Sequence, residues 1–381
     1  MLKALHIYRT YFPDPPGGLQ EAIRQISLAA RDYGVESRIF TLSPTPEPRQ
    51  LAFDEGTVIR SKSWAAPASC DLGGPDAFRQ YRELADWADV LHFHFPWPFA
   101  DLLRLAGARN RPAVMTYHSD VIRQRVLGYA YGPLMRRTLR SMSAVVATSP
   151  AYAESSPILT SVVQPDRVRV IPLGIADYAG SEAARQCGPD RLARLSLVDR
   201  PYFLSLGVLR YYKGLHTLIE AAPSIPANIV IAGSGPEAQR LKALATEVAA
   251  TNVIFAGQVT NEEKIALLKG CRALLLPSQL RSEAFGMVLV EASMFGKPLV
   301  SCEIGSGTSY VNEHAVTGFV VPPESPRELA GAANALLDDE QLAARMGHAA
   351  RARYERLFSA PPLGKAYRAL YDEVTQARPG A

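Results

Sequence analysis

The chain has 381 residues, 48% of them hydrophobic, which is long enough for two domains and apolar enough for two cores. Its net charge of +4 is too small to indicate a nucleic-acid-binding protein. The four cysteines form neither a C-x-x-C motif nor a disulfide framework, so we expect reduced thiols and a cytoplasmic location. No run approaches 18 apolar residues, and the first apolar run is too short for a signal peptide. Any membrane contact is therefore expected to be peripheral.

Short apolar strands alternate with amphipathic helices through the first half of the chain. The predicted strands are Leu2–Tyr8, Ser37–Leu42, Val90–Phe93, Ala113–Tyr117, Val145–Thr148 and Val168–Ile171. The predicted helices include Leu19–Tyr33, Phe99–Ala108 and Tyr131–Ser141. This alternation indicates an α/β fold with a parallel, doubly wound sheet.

The same pattern restarts after Pro201. The predicted strands there are Tyr202–Leu206, Ile229–Ala232, Val253–Phe255, Ala273–Leu276 and Leu299–Cys302. The predicted helices are Leu215–Ala222, Glu237–Ala249, Glu262–Leu268, Ala284–Met294 and Arg327–Leu337. We predict two Rossmann-like doubly wound domains, residues 1–178 and 190–360, that face a central cleft at the carboxyl ends of their strands. An amphipathic helix over about 362–376 is expected to pack on one of them, with the first as the candidate.

Two glycine motifs follow predicted strands. Gly17 and Gly18 open a helix, where paired glycines let the backbone approach a phosphate or a sugar, although an ordinary turn explains them as well. The motif Gly233-Ser-Gly235-Pro-Glu-Ala238 matches the dinucleotide fingerprint G-x-G-x-x-A and suggests an oxidoreductase as one alternative. The acidic residue that this fingerprint requires at the end of the next strand is missing, which argues against that alternative.

Cations and histidines stand at other strand ends. Arg210 and Lys213 lie at a strand-to-helix turn, where they could clamp a diphosphate or simply be solvated. His92 and His94 share one face of a strand, and an H-x-H pair either ligates a metal or, as we favour, is packed or lines a ligand. His118 follows another strand, at the edge that faces the cleft of a doubly wound sheet.

The run Glu283-Ala-Phe-Gly-Met-Val-Leu-Val-Glu291 is the most specific signal in the chain. Its apolar centre predicts a buried helix that begins near Ala284, with Glu283 in the preceding loop or at the N-cap. Two carboxylates with free helix N–H groups between them suit a ligand that carries a sugar at each end of a diphosphate. An N-capping glutamate and a solvated glutamate are the alternative.

A basic segment runs from Arg109 to Arg140. It contains seven arginines and one acidic residue, Asp120, with leucine and tyrosine between them. Such a segment is typical of a surface for anionic membrane or for a lipid diphosphate. A solvated basic helix face explains the same residues.

Together these motifs resemble the retaining glycosyltransferases of family 4, which have the GT-B fold. The resemblance spans almost the whole chain. It is strongest to bacterial O-antigen and common-polysaccharide mannosyltransferases that use GDP-mannose or GDP-rhamnose, on the segments His92–Asp101, Leu209–Gly214 and Ser301–Tyr310. It implies transfer of mannose or a 6-deoxymannose from a GDP-sugar, with retention, to a polyprenyl-diphosphate-linked glycan. A UDP-sugar donor, or sugar-nucleotide binding without turnover, remains an alternative.

The resemblance also implies roles for individual residues. The catalytic residues would be His118, which contacts the transferred sugar, Glu283, which offsets charge at its anomeric carbon, and Lys213, which neutralises the leaving diphosphate. The substrate-binding residues would be Gly17, Gly18, Arg210, Gly233, Val259, Asn261, Lys264, Phe285, Gly286, Met287 and Glu291.

Within the substrate-binding set, Glu291 would accept the ribose hydroxyls and Val259, Asn261 and Lys264 would meet guanine. Many relatives have arginine where this chain has Val208, so Arg210 is expected to supply that charge. No metal ion and no cofactor is expected. The expected partners are the GDP-sugar, a lipid-linked saccharide and the inner face of the cytoplasmic membrane.

Overall fold

The structure is a computed structural model that describes residues 1–14, 17–67, 70–108, 110–119, 125–195, 197 and 201–377. The chain divides into two compact units. Met1–Ala176 and Ala360–Ala381 form the first, and Asp177–Ser359 forms the second. No described helix is both long enough and apolar enough to cross a membrane.

The first unit is built on one sheet. Its strands are β1 (Leu2–Ile7), β2 (Val35–Ser43), β3 (Gln50–Phe53), β4 (Gly56–Ala65), β5 (Leu72–Gly73), β6 (Val90–Phe95), β7 (Ala113–Tyr117), β8 (Ala144–Ala147) and β9 (Val168–Val170). Their order is β3-β4-β2-β1-β6-β7-β8-β9, with β5 paired to β4. β3 and β5 run antiparallel to β4, and the other pairs are parallel. The chain reverses its direction across the sheet between β1 and β6, which makes their carboxyl ends a topological switch point.

Helices cover this sheet. They are α1 (Gly18–Arg31), α2 (Pro75–Trp87), α3 (Pro98–Ala106), α4 (Arg125–Arg140), α5 (Pro150–Ser155), α6 (Pro157–Val162) and the C-terminal α15 (Ala360–Gln376). The apolar face of α15 is buried in one cluster with α1, β1 and β6. Gly364 permits this packing, because a Cβ there would lie 2.2 Å from the carbonyl oxygen of Ala29.

The second unit repeats the architecture with an all-parallel sheet. Its strands are β10 (Tyr202–Leu206), β11 (Asn228–Ala232), β12 (Val253–Gly257), β13 (Ala273–Leu276), β14 (Leu299–Cys302) and β15 (Gly318–Val321), in the order β12-β11-β10-β13-β14-β15. Its helices are α7 (Glu182–Gln186), α8 (Leu215–Ala221), α9 (Ala238–Glu247), α10 (Asn261–Gly270), α11 (Met287–Met294), α12 (Thr308–Val311), α13 (Pro326–Asp338) and α14 (Glu340–Leu357). Here the switch point lies between β10 and β13.

One predicted helix start is wrong. The helix after Glu283 begins at Met287, three residues later than Ala284, because Gly286 adopts φ 81° and ψ 59° in the left-handed region. A left-handed residue cannot continue a right-handed helix, so Gly286 becomes the N-cap and Glu283 stays in the loop. The pattern also missed β3, β4, β5 and β15, and in the second unit the helices α7, α12 and α14.

Candidate active site

Lys213 and Glu283 meet at the switch point of the second unit. Lys213 follows β10 and Glu283 follows β13, its neighbour in the sheet. Their Nζ and Oε2 atoms are 2.6 Å apart, and each side chain is 12% exposed. Ser278 donates to the same carboxylate oxygen at 3.4 Å. The structure thus brings two of the three predicted catalytic residues into one partly buried ion pair.

Backbone contacts hold the Lys213 loop in place. Gly214 has φ 64°, and a Cβ there would lie 2.0 Å from the carbonyl oxygen of Pro277. The backbone N–H of Gln279 donates to the carbonyl of Tyr212 at 3.0 Å. Because the loop after β10 is bound to the loop after β13, Lys213 is directed towards Glu283 before any ligand arrives.

The N-terminus of α11 lies between the two predicted carboxylates. Its N-cap, Gly286, has no side chain with which to cap the first-turn N–H groups. The ring of Phe285 is buried and packs edge-on against Phe358, with 5.9 Å between centroids, so only its backbone remains to bind a ligand. Backbone N–H groups at a helix N-terminus favour an anion.

Lys264 and Glu291 form a second pair. Lys264 Nζ lies 2.7 Å from Glu291 Oε1, and the hydroxyl of Tyr178 donates to the same oxygen at 3.3 Å. Sequence reasoning assigned these residues to base and ribose separately and did not foresee that they touch. It missed Tyr178, which is the last residue of the first predicted domain and carries no motif.

The predicted base-binding segment leads into α10. Asn261 is exposed as the first residue of that helix, and Val259 is partly buried before it. Thr260 and Glu263 cap the helix by a reciprocal pair of side-chain bonds, and Arg194 holds Glu263 at 2.6 Å. This capping defines the path of the backbone at Val259 and Asn261.

Backbone packing requires glycine at both positions of the G-x-G motif, Gly233 and Gly235. Gly233 has φ 135°, and a Cβ there would lie 2.0 Å from the carbonyl oxygen of Gly207. A Cβ on Gly235 would lie 2.4 Å from the carbonyl oxygen of Leu209. The motif therefore lets the turn after β11 press against the Lys213 loop, which explains the fingerprint without a dinucleotide.

Arg210 and Val208 lie on the same loop and are both exposed. Among the described residues Arg210 forms no ion pair, unlike Lys213. Its guanidinium is thus available to solvent beside a pair that is already formed. Whether it takes over the charge missing at Val208 stays a prediction.

Gly17 and Gly18 occupy the switch point of the first unit, after β1. Gly17 is the N-cap of α1, with extended backbone and no side-chain cap. A Cβ on Gly18 would meet no atom of the described residues within 4 Å. Packing inside the protein does not require glycine at position 18, so the open space there is compatible with a ligand.

His118 lies in a row of buried imidazoles on one face of the first sheet. His6 of β1, His92 and His94 of β6, and His118 after β7 make up the row. Burial lowers the pKa of His118 to about 4 and that of His6 to about 3, and it lowers the pKa of His92 and His94 well below the usual value. All four rings are therefore neutral at pH 7.

The geometry of this row of histidines indicates whether the H-x-H motif, His92 and His94, binds a metal ion. Ring nitrogens of His6, His92 and His94 lie within 4.8 Å of one another, close enough to be considered for a metal ion. However, both nitrogens of His92 have hydrogen-bond partners at 2.7 Å, the hydroxyls of Tyr371 and Thr116. The rings of His92 and His94 are stacked at 4.2 Å, which directs their lone pairs side by side rather than towards one point. The geometry favours packing of these imidazoles over metal ligation.

The basic segment is described only in part. Arg109, Arg123 and Asp120 lie outside the described residues. Arg136, Arg137 and Arg140 project from α4 and are exposed. On the other side of α4, Tyr131 donates to the buried carboxylate of Asp101.

Comparison with known proteins identifies the family. Residues 16–177 match Glycosyltransferase Family 4, and residues 192–353 match Glycosyl transferases group 1. The chain is 42% identical over 361 residues to D-rhamnosyltransferase WbpZ of Pseudomonas aeruginosa, covering 94% of this chain and 93% of that one. This chain is a family 4 glycosyltransferase. It is also 36% identical over 377 residues to O-antigen chain mannosyltransferase C of Escherichia coli, covering 99% and 100% of the two chains.

Solved structures confirm the fold. Sucrose-phosphate synthase from Thermosynechococcus elongatus superposes with a TM-score of 0.78 at 22% identity, covering 99% of this chain and 100% of that one. The predicted GT-B fold and the predicted hexosyltransferase activity are both confirmed. The oxidoreductase alternative is excluded by the family.

Proposed function

We propose that this glycosyltransferase moves mannose, or a 6-deoxymannose such as rhamnose, from a GDP-sugar to a polyprenyl-diphosphate-linked glycan, with retention at the anomeric carbon. The observation that carries the proposal is the arrangement of Lys213–Glu283 and Lys264–Glu291, one pair at each end of the segment that holds the N-terminus of α11. The names of the two relatives, a rhamnosyltransferase and an O-antigen mannosyltransferase, support the choice of sugar and acceptor.

In the proposed reaction the bond between the anomeric carbon and the β-phosphate oxygen breaks, and a bond to the acceptor hydroxyl oxygen forms. The hydroxyl proton leaves with the GDP. Lys213 would stabilise the negative charge that grows on the departing diphosphate, together with the N–H groups at the start of α11. Glu283, already held beside Lys213, would offset the positive charge at the anomeric carbon.

The nucleoside would lie at the other pair. Glu291 would accept hydrogen bonds from the ribose hydroxyls, and the Lys264 ammonium at 2.7 Å orients that carboxylate. Guanine would meet the backbone at Val259 and Asn261, with Lys264 beside it. His118 would contact the transferred sugar, and Gly17 and Gly18 would leave room for donor and acceptor.

Calorimetric titration with GDP-mannose, GDP-rhamnose, UDP-N-acetylglucosamine and UDP-galactose tests the donor. We expect binding of at least one GDP-sugar and none of comparable strength from the UDP-sugars. Tight binding of a UDP-sugar with no measurable binding of GDP would contradict the donor assignment. With a lipid-linked acceptor, release of GDP distinguishes turnover from mere binding, and the anomeric configuration of the product by NMR tests retention.

Because Lys213 and the α11 N-terminus would supply the positive charge for the leaving group, we propose that the reaction needs no metal ion. Activity should survive EDTA. Complete loss on chelation, restored by a divalent cation, would overturn this part of the proposal and direct attention to His6, His92 and His94.

A further inference from the structure

A chain of hydrogen bonds links three of the buried histidines. His6 Nδ1 lies 3.1 Å from His94 Nε2, and His94 Nδ1 lies 3.1 Å from His118 Nε2. Successive rings are nearly parallel, at 20° and 23°, with 5.4 Å between centroids in both cases. The chain runs across three neighbouring strands, from the interior of the sheet at β1 to the residue that follows β7.

The protons in this chain can be arranged in only two ways. A neutral imidazole has one N–H and one lone pair, so His94 must donate to one neighbour and accept from the other. In the first arrangement His6 donates to His94, His94 donates to His118 Nε2, and His118 keeps its own N–H on Nδ1. In the second every bond is reversed, and His118 Nδ1 carries a lone pair.

The inner end of the chain decides between them. His6 Nε2 is buried and has no hydrogen-bond partner among the described residues. The reversed arrangement would place an N–H at that atom, whereas the first leaves only a lone pair there. A buried donor or acceptor without a partner destabilises the folded state, and buried N–H donors without a partner are rarer in proteins than buried acceptors without one.

We propose that His94, supported by His6, is a positioning residue that holds His118 in the Nδ1–H tautomer, so that His118 donates a hydrogen bond from Nδ1 to an oxygen of the transferred sugar. The inference rests on the proposed contact between His118 and the sugar, and it adds the polarity of that contact. A ligand atom at Nδ1 must then offer a lone pair, as every hydroxyl and ring oxygen of a hexose does.

Long-range ¹H–¹⁵N correlation of the full chain with ¹⁵N-labelled histidine tests the proposal directly, because protonated and bare ring nitrogens differ widely in ¹⁵N shift. We expect His118 to show a protonated Nδ1 and a bare Nε2 at pH 7 without substrate. A protonated Nε2 would overturn the proposal. The lowered pKa of His118 means that an imidazolium signal is not expected at this pH.

Two variants of His94 sharpen the test. In His94→Asn the side-chain amide can place an N–H where Nδ1 was, so the tautomer of His118 should be retained and turnover should fall only a few-fold. In His94→Leu that donor is lost, so the Nδ1–H fraction should drop and turnover should fall about tenfold, about 1.4 kcal/mol in barrier. Equal losses in both variants with an unchanged His118 spectrum would show a merely structural role and overturn the proposal.

His92→Leu is the matched control. His92 is equally buried and stacks on His94, but its hydrogen bonds go to Tyr371 and Thr116. This variant should lose stability and keep the His118 tautomer. Addition of GDP-mannose to the wild type separates the two proposals: an Nδ1–H tautomer whose resonances ignore the bound donor would support the histidine chain and contradict the contact with the sugar.

Discussion

The two sheets of this glycosyltransferase place different chemistry at equivalent positions. In the first unit the strands next to the switch point carry neutral imidazoles that bond to one another and to tyrosine and threonine hydroxyls. The second unit carries charged pairs instead: Lys213–Glu283 in the loops after β10 and β13, and Lys264–Glu291 between helices α10 and α11. The same type of sheet therefore carries neutral hydrogen-bonding side chains in the first unit and ion pairs in the second.

The difference follows from burial. The imidazoles lie inside the sheet, where a charge would be poorly solvated, so they stay neutral and their hydrogen bonds are directional. The lysines and glutamates lie in the loops and helices that follow the strands, partly exposed, where an ion pair can exchange partners with a ligand. In the proposed function the charged pairs of the second unit would meet the diphosphate, and His118 of the first unit would meet a sugar oxygen.

The largest effect should come from the charged pair at the switch point. We expect Lys213→Ala and Glu283→Ala each to lower turnover by on the order of 10²–10³, because each removes a preorganised charge beside the reacting bond. Circular dichroism should be unchanged. Turnover of GDP-sugar, measured at saturating donor, is the readout.

Arg240→Ala is the control for charge removal. Arg240 forms a surface pair with Glu237 at 3.1 Å and is 76% exposed, so its loss should leave the rate near the wild-type value. Near-normal rates for Lys213→Ala and Glu283→Ala in the same assay would contradict the site.

The sequence predicts the charged loops of the second unit better than it predicts the histidine chain of the first unit. The E-x₇-E run and the Lys-Gly turn locate the charged loops, since each follows an apolar strand that the pattern predicts. The contact between Lys264 and Glu291 is not predictable in this way, because 27 residues separate them and the helix start at Met287 depends on the left-handed Gly286.

The histidine chain is still less accessible to sequence reasoning. His92 and His94 stand out as an H-x-H motif, but His6 is a lone histidine in a strand whose other residues, apart from Lys3, are apolar. Its meaning depends on the register that sets His6 opposite His92 and His94 opposite Thr116. Strand order and register arise from tertiary packing, so a local pattern predicts the strands but not which side chains meet.

A second prediction concerns Asp101, a buried acid in the first unit. Burial raises the pKa of Asp101 to about 7, although a hydrogen bond from Tyr131 opposes the shift. The folded state then holds a proton that the unfolded state, with a pKa of 3.8, has lost. Stability therefore falls as pH rises from about 4 to 7, by about 2 kcal/mol between pH 5 and pH 7.

Asp101→Asn should remove this decrease of folding stability with rising pH. Urea unfolding of wild type and variant should give similar stabilities at pH 5 and a variant that is relatively more stable by about 2 kcal/mol at pH 7. Asp32→Asn, at an exposed position, should run parallel to the wild type. A constant difference between Asp101→Asn and wild type across this range would contradict the raised pKa.

A third prediction tests the open space at the first switch point. Gly18→Ala should preserve or slightly raise stability, because alanine is better than glycine in a helix by up to about 1 kcal/mol and the Cβ meets no atom within 4 Å in the part of the chain that the structure describes. If substrate fills that space, turnover should fall about tenfold, equivalent to about 1.4 kcal/mol.

Gly331→Ala provides the matched comparison for Gly18→Ala. Gly331 is an exposed glycine in α13 whose added Cβ also meets nothing within 4 Å. It should gain similar stability and keep full turnover. Unchanged turnover in Gly18→Ala as well would remove Gly18 from the substrate site.

The smallest effects are expected on the surface of the first unit, where we propose contact with anionic membrane through α4. Arg136 and Arg137 are exposed there, and an arginine near an anionic leaflet contributes about 1 kcal/mol. Arg136→Gln and Arg137→Gln should each weaken binding to phosphatidylserine-containing vesicles about fivefold at low salt. Donor affinity should not change, since the proposed nucleotide-binding residues belong to the second unit.

Vesicle flotation at low and high salt measures this effect. Surface charges are screened within about 10 Å at 0.1 M salt, so binding and its loss in the variants should both shrink as salt rises. Arg79→Gln removes the same charge from α2, where Asp76 already neutralises it, and should bind like the wild type. If the wild type does not float with anionic vesicles even at low salt, α4 is an ordinary solvated helix face. Equal losses for all three variants would instead mean that net charge matters and the position of the arginines on α4 does not.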